Sequence, residues 1–419
     1  MLIGFRFKNF RSFYGENFFS MKANAETRFR ELNTMETGAG GLNKSAFVLG
    51  VNGSGKSNFI AAFNYMKNTV LAELPLQSGM IANLDPFMFS TGAKETPSVF
   101  EAEFIVGYTV YEYGFELLRG EVNREYLYKK TKKKTPVFIR TSPDFEDISL
   151  SEEMYGVYAL TKNTGRNALF IHWAYAGANE TALTVRRWFE NTSIFDTEDT
   201  RRLMNATIEY LEDNRDGKSK TLDLLQRADP SVVDFDFAAR GGEEQSGAPG
   251  DNPKKSFAKR TLPIRKVTLH TKHRVYDENW EETGMVATSL NLESAGTRKL
   301  FELAGPVLRT LENGGVLFVD EIDSRLHLAL VRLIMAMFNS ATNNPKGAQL
   351  ICNSNDAHLL DEDNRRDQVY FTEKDEYGVS KLYALADLKG MRKGSKYLKQ
   401  YLLRASGTNT KIRDYYASF

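Results

Sequence analysis

A single cysteine, Cys352, in 419 residues excludes a disulfide framework, and a chain this long can bury a core that needs neither cross-links nor a structural metal. Five scattered histidines provide no His/Cys set with metal-ligand spacing and no Ser/His/Asp grouping to argue for. No apolar run is long enough to cross a bilayer, and the N-terminus lacks the basic start and apolar stretch of a signal peptide. A cytoplasmic location without membrane contact is expected. Charge of one sign is missing as well: 55 Lys and Arg stand against 54 Asp and Glu. Bulk charge therefore draws the chain to neither nucleic acid nor anionic lipid, and any such contact needs a local patch. There is no repeat of fixed period and no long heptad segment, which removes solenoids and an extended coiled coil.

What is present reads as strands alternating with helices. Leu2 to Phe13 has strand alternation, and Ala46-Phe47-Val48-Leu49 is a short buried strand running into a glycine-rich loop, after which Asn58 to Ala72 is helical. Ser98 to Glu116 is aromatic-rich and alternating, an antiparallel pair turning at Gly107 that suggests a side sheet. The character then changes to a charged hairpin around Lys129 to Lys134 and helical patterns at Asn167 to Tyr175, Ala182 to Phe189 and Thr200 to Asn214. Arg240 to Ser256 is so poor in apolar residues that a mobile loop is expected. Ile264 to His270 and Gly315 to Val319 restore strand character, with a helix at Leu326 to Phe338 and further strands at Gln349 to Cys352, Asp367 to Tyr370 and Lys381 to Leu385. The expected architecture is α/β: a mostly parallel core sheet with an antiparallel side sheet, interrupted by a mainly helical insertion. The expected division is residues 1–118 and 266–390 for the two halves of one head, 119–265 for the insertion and 391–419 for a tail.

The loop Gly50-Val51-Asn52-Gly53-Ser54-Gly55-Lys56-Ser57 carries the chemistry. Glycines let backbone N–H groups point inward around a phosphate, and the following helix sets its positive end against the same charge. Asn52, Gly53, Ser54, Gly55 and Asn58 are cradle candidates; Lys56 reaches the β- and γ-phosphates, and Ser57 holds Mg²⁺. The pattern arises by chance in roughly one or two chains in a hundred of this length, and the flanking strand and helix lower that further. Asp320 and Glu321 follow an apolar strand, where open α/β sheets place their ligands. Asp320 would steady Mg²⁺ and Glu321 would polarise the attacking water, although a strand-end acidic pair also suits a solvated turn. Lys129-Lys130-Thr131-Lys132-Lys133-Lys134, with Tyr126 and Tyr128 beside it, could contact phosphate backbones or serve as a solvated hairpin tip.

Six segments in order resemble an ABC-type ATPase head of the RecF/SMC-like class, more narrowly the prokaryotic AAA-type ATPases of the RloA and AbiLi abortive-infection kind. They are Lys8 to Phe13, Gly50 to Ser57, Leu292 to Leu300, Leu317 to His327, Gln349 to Ile351 and Arg365 to Gln368. The resemblance implies ATP with Mg²⁺, and a homodimer or higher oligomer in which one subunit's ATP is capped by Ser294 and Gly296 of the other. By residue pattern alone, the latter segment is the start of an amphipathic helix with Ser294 at its N-cap. The resemblance further places Phe10 and Arg11 near the adenine, with Phe10 as plain core the alternative. Where the class has Thr-His to sense the γ-phosphate, this chain has Ser354-Asn355. Asn355 can donate a hydrogen bond but cannot carry charge or shuttle a proton, so slow hydrolysis is an expectation.

The function implied is an ATPase subunit that senses or regulates within a bacterial anti-phage, abortive-infection system. It would control a separate effector, a Toprim- or HNH-type nuclease, since the chain leaves no room for one of its own. Two alternatives stand beside it: a RecF/SMC-like DNA-repair ATPase that clamps duplex DNA, and an ATP-locked scaffold with little turnover, supported by Asn355.

Overall fold

The computed structural model describes residues 1–73, 81, 84–240, 266–361 and 364–388. Most of the loop expected from Arg240 to Ser256 and the whole tail 391–419 lie outside the described residues.

A seven-stranded antiparallel sheet has the order β10-β9-β8-β7-β6-β1-β2. It is built from β1 (Leu2–Lys8), β2 (Asn17–Ser20), β6 (Ser98–Val106), β7 (Thr109–Leu118), β8 (Glu121–Lys130), β9 (Lys134–Arg140) and β10 (Ile148–Leu150). A six-stranded sheet of order β11-β15-β16-β5-β17-β18 contains β5 (Ser45–Leu49), β11 (Thr192–Asp196), β15 (Val316–Asp320), β16 (Gln349–Ser354), β17 (Val369–Lys374) and β18 (Ser380–Ala384). Its pairings are parallel except β17 with β18. The hairpin β3 (Thr34–Thr37) and β4 (Gly40–Asn43) follows the short helix α1 (Arg30–Asn33), and β12 (Val232–Arg240), β13 (Lys266–Tyr276) and β14 (Glu282–Ser289) form a third sheet. The remaining helices are α2 (Lys56–Leu71), α3 (Phe170–Ala176), α4 (Glu180–Glu190), α5 (Thr200–Asp213), α6 (Gly217–Ala228), α7 (Ala295–Asn313) and α8 (Leu328–Asn339).

The parallel strands are apolar because both faces are covered: every residue of β5 and β16 is buried, and Val316 to Val319 of β15 are too. On one face lies α2, whose Phe59, Phe63, Met66 and Val70 recur at helical spacing and are all fully buried. Phe63 stacks on Phe318 of the parallel sheet at 4.4 Å and meets Phe5 of the antiparallel sheet edge-on at 5.0 Å. The helix is thus the filling between the two sheets. Each such buried ring contributes about 2–3 kcal/mol. The opposite face is covered by α5, α7 and α8 through Leu203, Leu303, Val307, Val331 and Phe338.

Residues 119–240, expected within a mainly helical insertion, supply β8, β9 and β10 to the antiparallel sheet and β11 to the parallel one. Glu125, fully buried on β8, explains part of this: it accepts from the N–H groups of Phe170 and Ile171 at the start of α3 and from the Tyr113 hydroxyl on β7. Burial pushes its carboxyl up, and Arg140 opposes that. Helix α5 crosses α7 tightly at Gly305, where a Cβ would come within 2.4 Å of the Thr207 Cα. Pro306 leaves the carbonyl of Glu302 without its helical donor, and the Thr207 hydroxyl donates to it at 2.8 Å. No helix among the described residues is long and apolar enough to cross a membrane.

Candidate nucleotide site

Parallel pairing brings the carboxyl ends of β5, β15 and β16 to one edge, and the glycine loop leaves β5 there. Gly53 and Gly55 have φ of 78° and 120°, conformations that suit glycine, and at Gly55 a Cβ would stand 2.6 Å from the Ser380 hydroxyl. The loop is braced from the neighbouring hairpin: the Ser54 and Thr372 hydroxyls are 2.7 Å apart, and Ser380 donates to the Ser54 carbonyl at 2.6 Å. Asn52 and Gly53 remain exposed at the rim. Lys56 is 6 % exposed and donates back across the loop to the Gly50 carbonyl at 2.7 Å. Burial lowers its pKa, offset in part by Asp323, Glu321 and Asp320. A desolvated cation held in a cradle of glycines is a fitting partner for phosphate oxygens.

Ser57, in the first turn of α2, donates to Asp320 Oδ1 at 3.0 Å across 263 positions of sequence. One hydroxyl and one carboxylate, both hard oxygen donors at the loop's edge, fit the sparse protein ligation that Mg²⁺ takes beside phosphates. Burial raises the Asp320 pKa; hydrogen bonds from Asn353 and Ser57 oppose that rise, and Asp196 adds to it. Glu321 follows at φ 54°, left-handed for a non-glycine. Its N–H donates to Asn353 Oδ1 at 2.6 Å, and its carbonyl accepts from the Thr197 hydroxyl at 2.9 Å. Burial raises the Glu321 pKa, followed by the carboxylates of Asp320, Glu198, Asp196 and Asp323.

Lys56, Ser57, Asp320 and Glu321 are therefore brought together, and Asn353 joins them unforeseen. Fully buried at the end of β16, it donates to Asp320 Oδ1 with one end and accepts from Glu321 with the other. An asparagine directly after the apolar Leu350-Ile351-Cys352 was the available signal. Asn355, expected to sense phosphate, is exposed, and its N–H donates to Asp323 Oδ2 at 3.1 Å. The Asn58 side chain is turned to the Ser12 hydroxyl at 2.8 Å. Phe10 is core, packed on Tyr65 and Phe100, because its ring fits between α2 and β6. Arg11 occupies the exposed turn above it, 3.5 Å from Asp85. Ser294 caps α7 by accepting from Thr297 N–H at 3.1 Å, as its sequence position suggested. It is exposed, and among the described residues no hydrogen bond joins Ser294 or Gly296 to the phosphate loop of the same chain.

A Ser/His/Glu row, not foreseen from the scattered histidines, does form: Ser231 Oγ lies 3.2 Å from His273 Nδ1, and His273 Nε2 lies 2.8 Å from Glu293. The Ser231 hydroxyl donates to Asp229 at 2.6 Å, closing a local turn, so it is not armed as a nucleophile. In the lysine hairpin, Lys129 pairs with Glu153 and Lys134 with Glu112, which neutralises the two ends of the patch.

The edge as a whole presents a glycine loop that could hold a phosphate, a hydroxyl and a carboxylate that could hold a divalent cation, and an adjoining carboxylate of raised proton affinity. No curated protein matches the chain. Residues 45–361, from the strand before the cradle to the segment just past β16, match the family described as "AAA domain, putative AbiEii toxin, Type IV TA system". Nucleotide binding and hydrolysis are what membership of such an ATPase family implies, and with most of its length inside the match, the chain belongs to that family of AAA-domain proteins.

Proposed function

We propose that the protein binds ATP with Mg²⁺ and hydrolyses it, slowly, as the nucleotide-driven subunit of a defence or toxin–antitoxin system. The 3.0 Å contact between Ser57 and Asp320, beside a buried Lys56, carries the reading. Ser57 opens α2 and Asp320 closes β15, 263 positions apart in sequence, and the stacking of Phe63 on Phe318 sets the two side by side at the edge where the loop ends. Lys56 would turn from the Gly50 carbonyl to the β- and γ-phosphates, and Ser57 and Asp320 would hold the cation. The metal neutralises phosphate charge when bound. Glu321 accepts a proton from the water that attacks in line, and its raised proton affinity suits that role.

Exposure of Ser294 and partial exposure of Gly296 at the start of α7 support their use by a second copy, giving a dimer closed around ATP. ATP drives such closure only by binding the closed form more tightly. In this reading the dimer controls a separate effector, with a nuclease the leading candidate. The words "putative AbiEii toxin" in the family description support a second reading, in which this chain is itself the toxic partner. Expression alone distinguishes them: growth arrest by this chain without an effector supports the toxin, and arrest only on co-expression supports the regulator. A DNA-clamping reading rests on Lys130, Lys132 and Lys133 at the hairpin tip, and requires DNA affinity that falls steeply with salt.

The test is phosphate release and binding of a fluorescent ATP analogue by the intact protein, Lys56→Met and Glu321→Gln. Lys56→Met is expected to lose nucleotide affinity, and Glu321→Gln to keep it while losing turnover by about a hundredfold or more. Unchanged affinity in Lys56→Met would overturn the site. Near-zero release by both wild type and Glu321→Gln would leave the scaffold alternative.

A further inference from the structure

The backbone of Glu321 is held from both sides by side chains of neighbouring strands. Asn353 takes its N–H, and Thr197, which directly follows β11, takes its carbonyl. A non-glycine at φ 54° carries about 1–2 kcal/mol of strain, so the conformation persists only where its surroundings fix it. Thr197 is well placed to do so: it is 1 % exposed, and its own N–H donates to the Asp320 carbonyl at 3.2 Å. Its carbonyl is held in turn, accepting from Lys299 Nζ at 2.7 Å. Lys299 is 2 % exposed and paired with Glu302, which is buried beside it. Both residues are on α7, and Lys299 lies within two turns of Ser294. A continuous chain of hydrogen bonds therefore runs from α7 through Lys299 and Thr197 to the peptide of Glu321.

We infer that Thr197 is a positioning residue for Glu321, and that Lys299 makes this positioning answer to the placement of helix α7. The inference rests on the reading of Glu321 as the proton acceptor in ATP hydrolysis. Its consequence is that a push on the start of α7, where a second copy's nucleotide would bear, reaches the carboxylate of the chain's own site. A rotation of the Glu321 peptide by a few degrees swings its side chain away from the attacking water, and misplacements of that kind are costly to rate without touching affinity.

Thr197→Val keeps the shape and removes the hydroxyl. Turnover is expected to fall about 10- to 100-fold, while the affinity for a fluorescent ATP analogue stays within about twofold. Thr197→Ser is expected to restore turnover to within about threefold, which a packing role for the threonine methyl would not do. Lys299→Met made together with Glu302→Gln, to avoid stranding a charge, is expected to slow turnover likewise. Adding Thr197→Val to that pair should then cost little more, because both act through one link. Wild-type turnover in Thr197→Val, with Glu321→Gln inactive, overturns the positioning role; so does a loss shared by affinity and not rescued by serine. Additive losses overturn the connection to α7. If Glu321→Gln itself releases phosphate at the wild-type rate, it is the underlying reading of Glu321 that fails.

Discussion

Asn353→Asp is the most demanding single test of the site's electrostatics. The substitution preserves size and the oxygen that accepts from Glu321 N–H, and changes only the end facing Asp320 Oδ1 from donor to acceptor. Two ionised carboxylates would then be in contact at an edge that already holds Asp196 and Glu198. At an effective dielectric constant of ~20 and a separation of ~4 Å, that repulsion is about 4 kcal/mol. Taking up a proton to avoid it costs about 1.4 kcal/mol for each pH unit above the ordinary aspartate value, again about 4 kcal/mol at pH 7. Either route gives the same deficit. The pair's folded pKa is raised, so the deficit is present above that value and recovers as pH falls through it. By pH 5 protonation costs only about 1.5 kcal/mol and supplies a new donor to Asp320. Urea unfolding of wild type and variant at pH 7, 6 and 5 measures this directly. A deficit independent of pH, or one below about 1 kcal/mol at pH 7, would refute the account of Asn353 as the group that makes Asp320 tolerable as an anion.

Two further outcomes follow from the same geometry. Glu321's proton affinity is raised, so turnover should fall as pH drops through a value above the usual glutamate range, and Glu198→Gln should move that acid limb to lower pH. A pH profile of kcat decides it: an unmoved limb, or one that moves up, contradicts the assignment. Arg365 is fully buried and grips Asp367 through two hydrogen bonds of 3.1 and 2.8 Å while donating to the carbonyls of Glu26 and Arg28. Arg365→Met should cost about 3–5 kcal/mol in urea unfolding, and adding Asp367→Asn should recover part of it; equal losses in the single and double variants would speak against a stranded carboxylate.

The segment Arg365 to Gln368 illustrates how a sequence resemblance and a physical role can differ. It is part of a family pattern, yet among the described residues no side chain of it hydrogen-bonds to the phosphate loop. Gln368 instead donates to the carbonyl and hydroxyl of Ser45 at 2.9 Å each and accepts from Asn33, tying the entry of β5 to the end of α1. The segment holds the scaffold on which the cradle is hung. Likewise Phe10 belongs to the packing between the sheets, and Arg11 to an exposed turn beside Asp85.

The sequence by itself determined what depends on near neighbours in the chain. The course of strand, glycine loop and helix from Ser45 to Leu71 was legible because its parts are contiguous in the chain, and the buried strands because covered parallel sheets demand unbroken apolar runs. The cap at Ser294 was legible for the same reason. Only the tertiary structure decided what depends on which strand lies beside which. β11 is a short strand in a charged region, and its place at the sheet edge is set by pairing with β15, over a hundred positions away. With that pairing come Asp196 opposite Asp320, Thr197 on the carbonyl of Glu321 and the hold of Lys299 on Thr197. Asn353 acquires its meaning in the same way, from the register of β16 against β15. Side chains that position a reacting group act through hydrogen bonds across strands, and strand order is a property of the folded sheet that no local pattern encodes.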